Sequence, residues 1–351
     1  MSRPVEVTID LDAVTHNLSI VKSLAPHSKI MAVVKADAYG HGVLRIAQAL
    51  KDVDAFGVAR LDEAVVLRKE GYRNKIVLLE GVLDSSELRQ AFDLDLDIVI
   101  HSDYQIDLLT HQNRKFRVWF KVNTGMNRLG FCPRDARSNL QTIRKYSNKI
   151  ILMTHFSCAQ LSNDVSAVRQ EEAFDDIVMG ASEEKSLANS AAILALPSTH
   201  RDWVRPGLML YGVSPFTGTT ASEYGLRPVM TLKSRLIATQ GVSAGEYIGY
   251  GKNYISKKEM YIGVIAIGYG DGYPRKTNAP VLFKGKRANI VGDCSMDMTT
   301  IDLGDISASY GDEVTLWGAG LPVEEVAEKS GMVPYELLCR VKMRAKYLES
   351  S

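Results

Sequence analysis

Across its first two-thirds the chain alternates short apolar runs with stretches of helical period, and this alternation limits its fold more than any other feature. The runs are 30–35, 55–59, 75–79, 97–101, 117–122, 150–155, 186–189 and 203–205. Between them lie 62–70, 85–92, 103–111, 133–146 and 164–179, several opening on a capping side chain such as Asp62, Ser85, Ser102 or Asp103. Short apolar runs suit strands covered on both faces, and strand-helix alternation builds a parallel sheet. Eight strand signals predict an α/β fold, a (β/α)8 barrel of TIM type; periodicity alone leaves a doubly wound open sheet as the alternative.

After about Gly225 the texture changes. Strand-like runs at 231–239, 261–267, 288–291, 299–301 and 313–316 are separated by Gly, Asp, Asn and Pro clusters, with one helical segment at 322–330. The expected organisation is a barrel over 1–226 followed by a mostly β C-terminal domain over 227–351. A length of 351 residues suits two domains.

With 42 basic and 41 acidic residues, the net charge of +1 gives no electrostatic case for nucleic acid or a membrane surface. Met1 to Asp10 holds no apolar signal core, and no apolar run is long enough to span a bilayer, so a soluble cytoplasmic protein is expected. Cys132, Cys158, Cys294 and Cys339 are far apart and form no CxxC or His/Cys spacing, which suggests neither a disulfide framework nor a zinc or other metal site.

Barrel active sites collect at the carboxyl ends of the strands. Lys35 ends the first run, Arg128 follows the fifth, His155 ends the sixth, Ser190 follows the seventh and Arg205 ends the eighth. Each alone has an ordinary explanation as a snorkelling lysine, surface cation, core histidine, helix cap or salt-bridge partner; five on one rim point to chemistry. Lys35 stands out because burial lowers an ammonium's pKa, and a neutral amine attacks an aldehyde to form a Schiff base. Gly40 and Gly42 let backbone approach a ligand, and Tyr39 adds a ring and a hydroxyl.

The string from Ala32 to Gly42 resembles the cofactor-lysine motif of the alanine racemase family, with Asp37 where that family often has Asn. Residues 121–130 resemble the segment whose arginine, here Arg128, contacts substrate carboxylate and cofactor; its lysine, here Lys121, is often carbamylated and helps hold that arginine, and Asn123 replaces the usual Asp. Residues 154–156 and 188–191 are similar to the histidine and phosphate-loop segments, and 205–212 to the string whose arginine faces the cofactor's pyridine nitrogen. The matching gives Ser190 and the amides of Gly207 and Leu208 to the phosphate. Residues 248–251 resemble the segment bearing the catalytic tyrosine, here Tyr250, while 267–273 and 294–297 resemble the entrance and substrate-carboxylate segments, with Tyr269 at the entrance and Tyr273 a second candidate there, and Met296 and Asp297 at the carboxylate. Residues 344–347 match more loosely the terminal string whose tyrosine, here Tyr347, contacts the phosphate.

The resemblance implies a pyridoxal 5'-phosphate-dependent isomerase, a homodimer with Tyr250, Met296 and Asp297 supplied across the interface, and a D-alanine-forming activity of the kind used for peptidoglycan precursors. It implies a two-base reaction on L- and D-alanine: Lys35 takes the D-enantiomer's proton and Tyr250 of the partner subunit the L-enantiomer's. A free tyrosine titrates near ~10, so Tyr250 needs help, for which His155 and Arg205 are candidates. A racemase of broader specificity (serine, for example), a fold-related pyridoxal phosphate decarboxylase, a binding protein without catalysis and a cofactor-free lysine aldolase are the alternatives.

Overall fold

The computed structural model describes residues 4–161, 165–341 and 344–350. Strand β1 (Glu6–Asp10) comes first and is followed by the barrel strands β2 (Lys29–Val33), β3 (Ala55–Val58), β4 (Lys75–Leu78), β5 (Asp97–Ile100), β6 (Phe116–Lys121), β7 (Ser147–Met153), β8 (Glu184–Asn189) and β9 (Trp203–Arg205). All eight neighbouring pairs of β2 to β9 are parallel, and β2 closes the ring against β9 through Lys29 opposite Trp203 and Ile30 opposite Val204. Closure excludes the open sheet. The intervening helices include Leu61–Lys69, Ser85–Asp93, Asp103–Thr110, Pro133–Tyr146 and Ser166–Ile177. Asp164, where the last of these is expected to begin, lies outside the described residues.

The barrel interior is a packed plug. Met31, Ala55, Val77, Val99, Trp119, Ile151, Met153 and Trp203 form one buried cluster, with the Trp119 and Trp203 rings edge to face at 5.1 Å. Gly57 is needed beside them, because a Cβ there would come within 2.9 Å of the Met31 sulfur. The indole N–H of Trp119 donates to Asp97 at 3.1 Å and that of Trp203 to Glu184 at 2.5 Å. Arg117 pairs with Asp97, while Lys29 and Lys149 pair with Glu184. Tryptophans whose N–H groups end on paired carboxylates satisfy every buried charge there and seal the amino end of the barrel. Room for a ligand is left at the carboxyl end.

Eight further strands form a second sheet in the order Lys286–Asn289, Pro280–Phe283, Glu313–Trp317, β10 (Met230–Val242), β1, Lys346–Ser350, with Met260–Ile265 and Thr299–Asp302 branching from β10, and Tyr247–Ile248 pairs with Tyr254–Ile255 apart from it. The chain's first strand therefore lies between β10, antiparallel, and the last strand, parallel. Sequence patterning finds no strand before residue 30, since β1 buries only Val7 and Ile9 on alternate positions, too few to stand out. It also passes over the helices Leu11–Leu24 and Pro334–Arg340.

The helix after β1 fastens the seam between sheet and barrel. The buried Asn17 amide donates to Leu210 O at 3.1 Å and Arg227 O at 2.9 Å, and its oxygen accepts from Arg227 N at 2.8 Å. Asn17→Ala leaves these backbone groups unpaired, and the expected loss is about 2–4 kcal/mol of unfolding free energy, read from urea denaturation.

Candidate active site

Lys35 stands just past the end of β2, half-buried, at the start of an unusual turn. Ala36, Asp37, Ala38 and Tyr39 all have φ between 53° and 55° and ψ between 40° and 51°, one turn of left-handed helix made without a glycine. Each such residue costs about 1–2 kcal/mol in an L-chain, so the turn must be held by its surroundings. Ala38 N bonds Val34 O at 2.9 Å and Gly42 N bonds Asp37 O at 3.0 Å. The Asp37 carboxylate accepts from Val43 N at 2.8 Å, an acceptor role that asparagine's oxygen also fills. Glu63 accepts from Ala36 N and Ala59 N, each at 2.7 Å.

Lys35 opens onto a cavity of about 1200 Å³, walled also by Tyr39, Glu80, His101, Lys121, Arg128, His155, Ser190, Arg205, Gly207 and Leu208. Arg205, 4% exposed, donates to Ser186 Oγ and Thr154 O, both at 2.7 Å, to Leu187 O at 3.1 Å and to His155 Nδ1 at 3.3 Å. Carbonyls and a hydroxyl surround this cation where a carboxylate would be usual. Burial brings its pKa down to about 10, and it stays charged at neutral pH. Burial, with the charges of Arg205, Lys121, Arg128 and Lys35, holds His155 well below the ordinary imidazole range. Neutral His155 accepts from Arg205 on Nδ1, so its proton sits on Nε2. Burial and the charges of Arg205, Arg128 and Lys35 lower Lys121 to about 8. The loop carrying Arg128 is folded by Asn123, whose Oδ1 accepts from Gly125 N at 3.2 Å and Asn127 N at 2.9 Å.

Beside this cationic floor is a cradle. Ser190 Oγ accepts from Gly207 N at 2.9 Å, and a Cβ on Gly207 would stand 2.9 Å from the Tyr39 hydroxyl, so the spot admits no side chain. Leu208 opens a 3-10 turn there. Three kinds of donor beside several cations, with a lysine on the same rim, fit an aldehyde-bearing aromatic phosphate.

The other predicted residues lie elsewhere on this chain. Tyr250 is 73% exposed, between Gly249 and Gly251 in the turn that joins the hairpin strands Tyr247–Ile248 and Tyr254–Ile255. Met296 and Tyr269 are exposed too, and Arg344 joins Asp297 at 2.7 Å to Asp271 at 3.4 Å. Tyr273 is buried and stacks on Trp317 with ring centroids 6.0 Å apart. The Tyr347 hydroxyl lies 3.1 Å from Gly40 O and against Val341 O, outside the cavity wall. Sequence reasoning passes over Ser186 and Glu63. Glu63 leaves a trace, standing three residues after Arg60 where a carboxylate caps a helix start.

Fold and rim define a barrel built to hold an anionic cofactor beside a lysine. Residues 9–215 match the model of the alanine racemase N-terminal domain and residues 229–348 that of the C-terminal domain. The chain is 47% identical over 362 residues to the alanine racemase of Nitrosomonas eutropha, covering 100% of both, and 46% identical over 345 residues to that of Vibrio atlanticus, covering 96% of both. It is similar to the crystal structure of biosynthetic alanine racemase from Pseudomonas aeruginosa, with TM-score 0.97, 41% identity and 100% of both chains covered. A second similar structure, alanine racemase from Bartonella henselae with covalently bound pyridoxal phosphate, has TM-score 0.91 and 29% identity over 99% of this chain and 100% of that one. The chain belongs to the alanine racemase family.

Lys121 gives this site a pH signature. Its ammonium is lowered from 10.5 to about 8 by folding, so the unfolded chain holds that proton more tightly and the folded state gains stability as pH rises from 8 to 10.5. Lys121→Met, with no proton to lose, is expected to raise the urea midpoint of the cofactor-free protein at pH 7. That gain should shrink by pH 10.

Proposed function

We propose that this protein is a pyridoxal 5'-phosphate-dependent racemase that interconverts L-alanine and D-alanine, working as a homodimer in the cytoplasm. The observation that carries the reading is Lys35 on one cavity with the Ser190–Gly207 cradle and the cationic floor, in a chain of this family. No helix among the described residues is long and apolar enough to cross a membrane. Residues 1–226 are read as the cofactor-binding unit, with Glu6–Asp10 lent to the second sheet, and 227–351 as the unit that reaches the partner.

Lys35 would hold the cofactor at its aldehyde carbon; Tyr39, Ser190 and the N–H groups of Gly207 and Leu208 would hold its phosphate, and Arg205 would face its ring nitrogen. When bound, pyridoxal 5'-phosphate supplies an electron sink that acidifies the α-hydrogen of an attached amino acid. Arg128 binds the substrate carboxylate, helped by Met296 and Asp297 of the partner subunit, and Tyr269 of the partner subunit narrows the entrance. Lys121 supports Arg128; with a pKa of about 8 it keeps some neutral amine near neutral pH. The Lys35 amine exchanges a proton with one face of the α-carbon, and the Tyr250 phenol of the partner subunit with the other. The exposure of Tyr250 and Met296 on this chain supports their use by a second copy.

His155, protonated on Nε2 and held through Nδ1 by Arg205, supplies a donor that favours the phenolate of that tyrosine. Arg205 keeps its own proton and so restrains charge from moving into the ring, which disfavours transamination. A decarboxylase of this fold calls for a carboxylate at that nitrogen, where this chain offers Arg205, bonded among the described residues to Ser186, Thr154, His155 and Leu187.

Loaded with pyridoxal 5'-phosphate and given L-alanine, the protein is expected to bring the optical rotation to zero with total alanine unchanged. Tyr250→Phe should slow both directions by about 100-fold or more, the usual worth of a positioned acid or base. The exposed Tyr310 is the comparison, and equal rates for Tyr250→Phe and Tyr310→Phe would sink the two-base reading.

A further inference from the structure

We propose that Glu63 is a positioning residue: its carboxylate sets the left-handed turn behind Lys35, and through that turn the reach of the Lys35 amine. The proposal rests on the reading of Lys35 as the cofactor lysine.

Four consecutive non-glycine residues, Ala36 to Tyr39, occupy backbone angles that L-residues avoid. Local hydrogen bonds do not create such a run, because a right-handed turn offers the chain equivalent bonds at lower cost. Something outside the turn must select it. Glu63 stands in the first turn of the helix Leu61–Lys69, where a carboxylate ordinarily bonds N–H groups of its own helix start. One oxygen does nearly that, accepting from Ala59 N at 2.7 Å. The other leaves its helix and accepts from Ala36 N at 2.7 Å, the amide joined directly to Lys35. The two bonds tie the exits of two adjacent barrel strands, and charge-assisted bonds of this length are the strong kind.

The far end of the turn is fixed from the opposite side. The Tyr347 hydroxyl shares its one proton between Gly40 O at 3.1 Å and the nearer Val341 O, and a Cβ on Gly40 would come within 2.3 Å of Leu338 O. The turn is thus gripped at its start by the barrel and at its end by the last segments of the chain. This gives Tyr347 a place in the site different from a phosphate contact.

Glu63→Gln is nearly isosteric but offers one acceptor and one donor, so it can satisfy only one of the two amides. Glu63→Asp keeps the charge and lacks the length to span both. Hydrogen exchange, followed by mass spectrometry on the full chain with and without added pyridoxal 5'-phosphate, reads the turn directly. The expected result for Glu63→Gln is exchange about tenfold faster or more in peptides covering 34–42, with 61–69 and β5 to β8 unchanged. In the loaded enzyme kcat should fall more than KM changes, and borohydride capture of the cofactor on Lys35 should slow.

Wild-type exchange in 34–42, or a rise shared equally by 61–69 and the neighbouring strands, would overturn the proposal, since a plain helix cap predicts the second. If Glu63→Gln does not fold, Tyr347→Phe releases the turn from its other end: the same confined rise supports the grip, and no rise overturns it. Should wild type fail to form a reducible bond between Lys35 and the cofactor, the functional reading falls while exchange still decides the role of Glu63.

Discussion

Pairing of β2 with β9 is the contact on which the site depends. It sets the first barrel strand beside the last, so Val33 N reaches Pro206 O at 2.9 Å, the Tyr211 hydroxyl reaches Val33 O at 2.8 Å, and Tyr39 meets Gly207. Lys35 hangs from one side of that seam and Arg205 from the other. The cradle at Ser190 and Gly207 joins β8 to β9, and closure of the ring is what brings Lys35 and Tyr39 from β2 beside it. Cofactor binding and barrel closure are therefore linked: a ligand held across the seam stabilises the fold that creates it.

The floor of the cavity is organised by repulsion as much as by attraction. Lys121 and Arg205 are buried near Lys35, Arg128 and His155, and the shifts of Lys121 and His155 record the crowding. Neutral groups take the hydrogen bonds of the two terminal Arg205 nitrogens without neutralising it. Ion pairing inside the site would quench the field, whereas carbonyls leave it directed at whatever anion enters. The amino end of the same barrel is built the other way, with Arg117, Lys29 and Lys149 each on a carboxylate. One end spends its charges on structure and the other keeps them for a ligand.

Much of this was readable from sequence, for identifiable reasons. Barrel strands buried on both faces appear as apolar runs, and Pro133–Tyr146 and Trp203–Arg205 match the structure residue for residue. Lys35, Arg128, His155, Ser190 and Arg205 were visible because strand ends locate the rim. Contacts made by backbone groups were not: the Thr154 and Leu187 carbonyls around Arg205 carry no mark in the sequence. The left-handed turn was hidden because Ala-Asp-Ala-Tyr has no glycine to announce positive φ, and tertiary contacts impose it. β1 escapes a reading of pattern because its two buried residues, Val7 and Ile9, are too few to stand out.

That arrangement has a kinetic side. β1 pairs with β10 and with Lys346–Ser350, both far along the chain, so during synthesis its sheet waits for those segments to emerge. At about 5–20 residues per second the delay is tens of seconds, long beside the time a barrel helix needs to form. For that interval Val7 and Ile9 are apolar residues without a sheet. The Asn17 seam, made to Leu210 and Arg227, needs no residue of the strand Lys346–Ser350, whereas β1 needs that strand for its second edge.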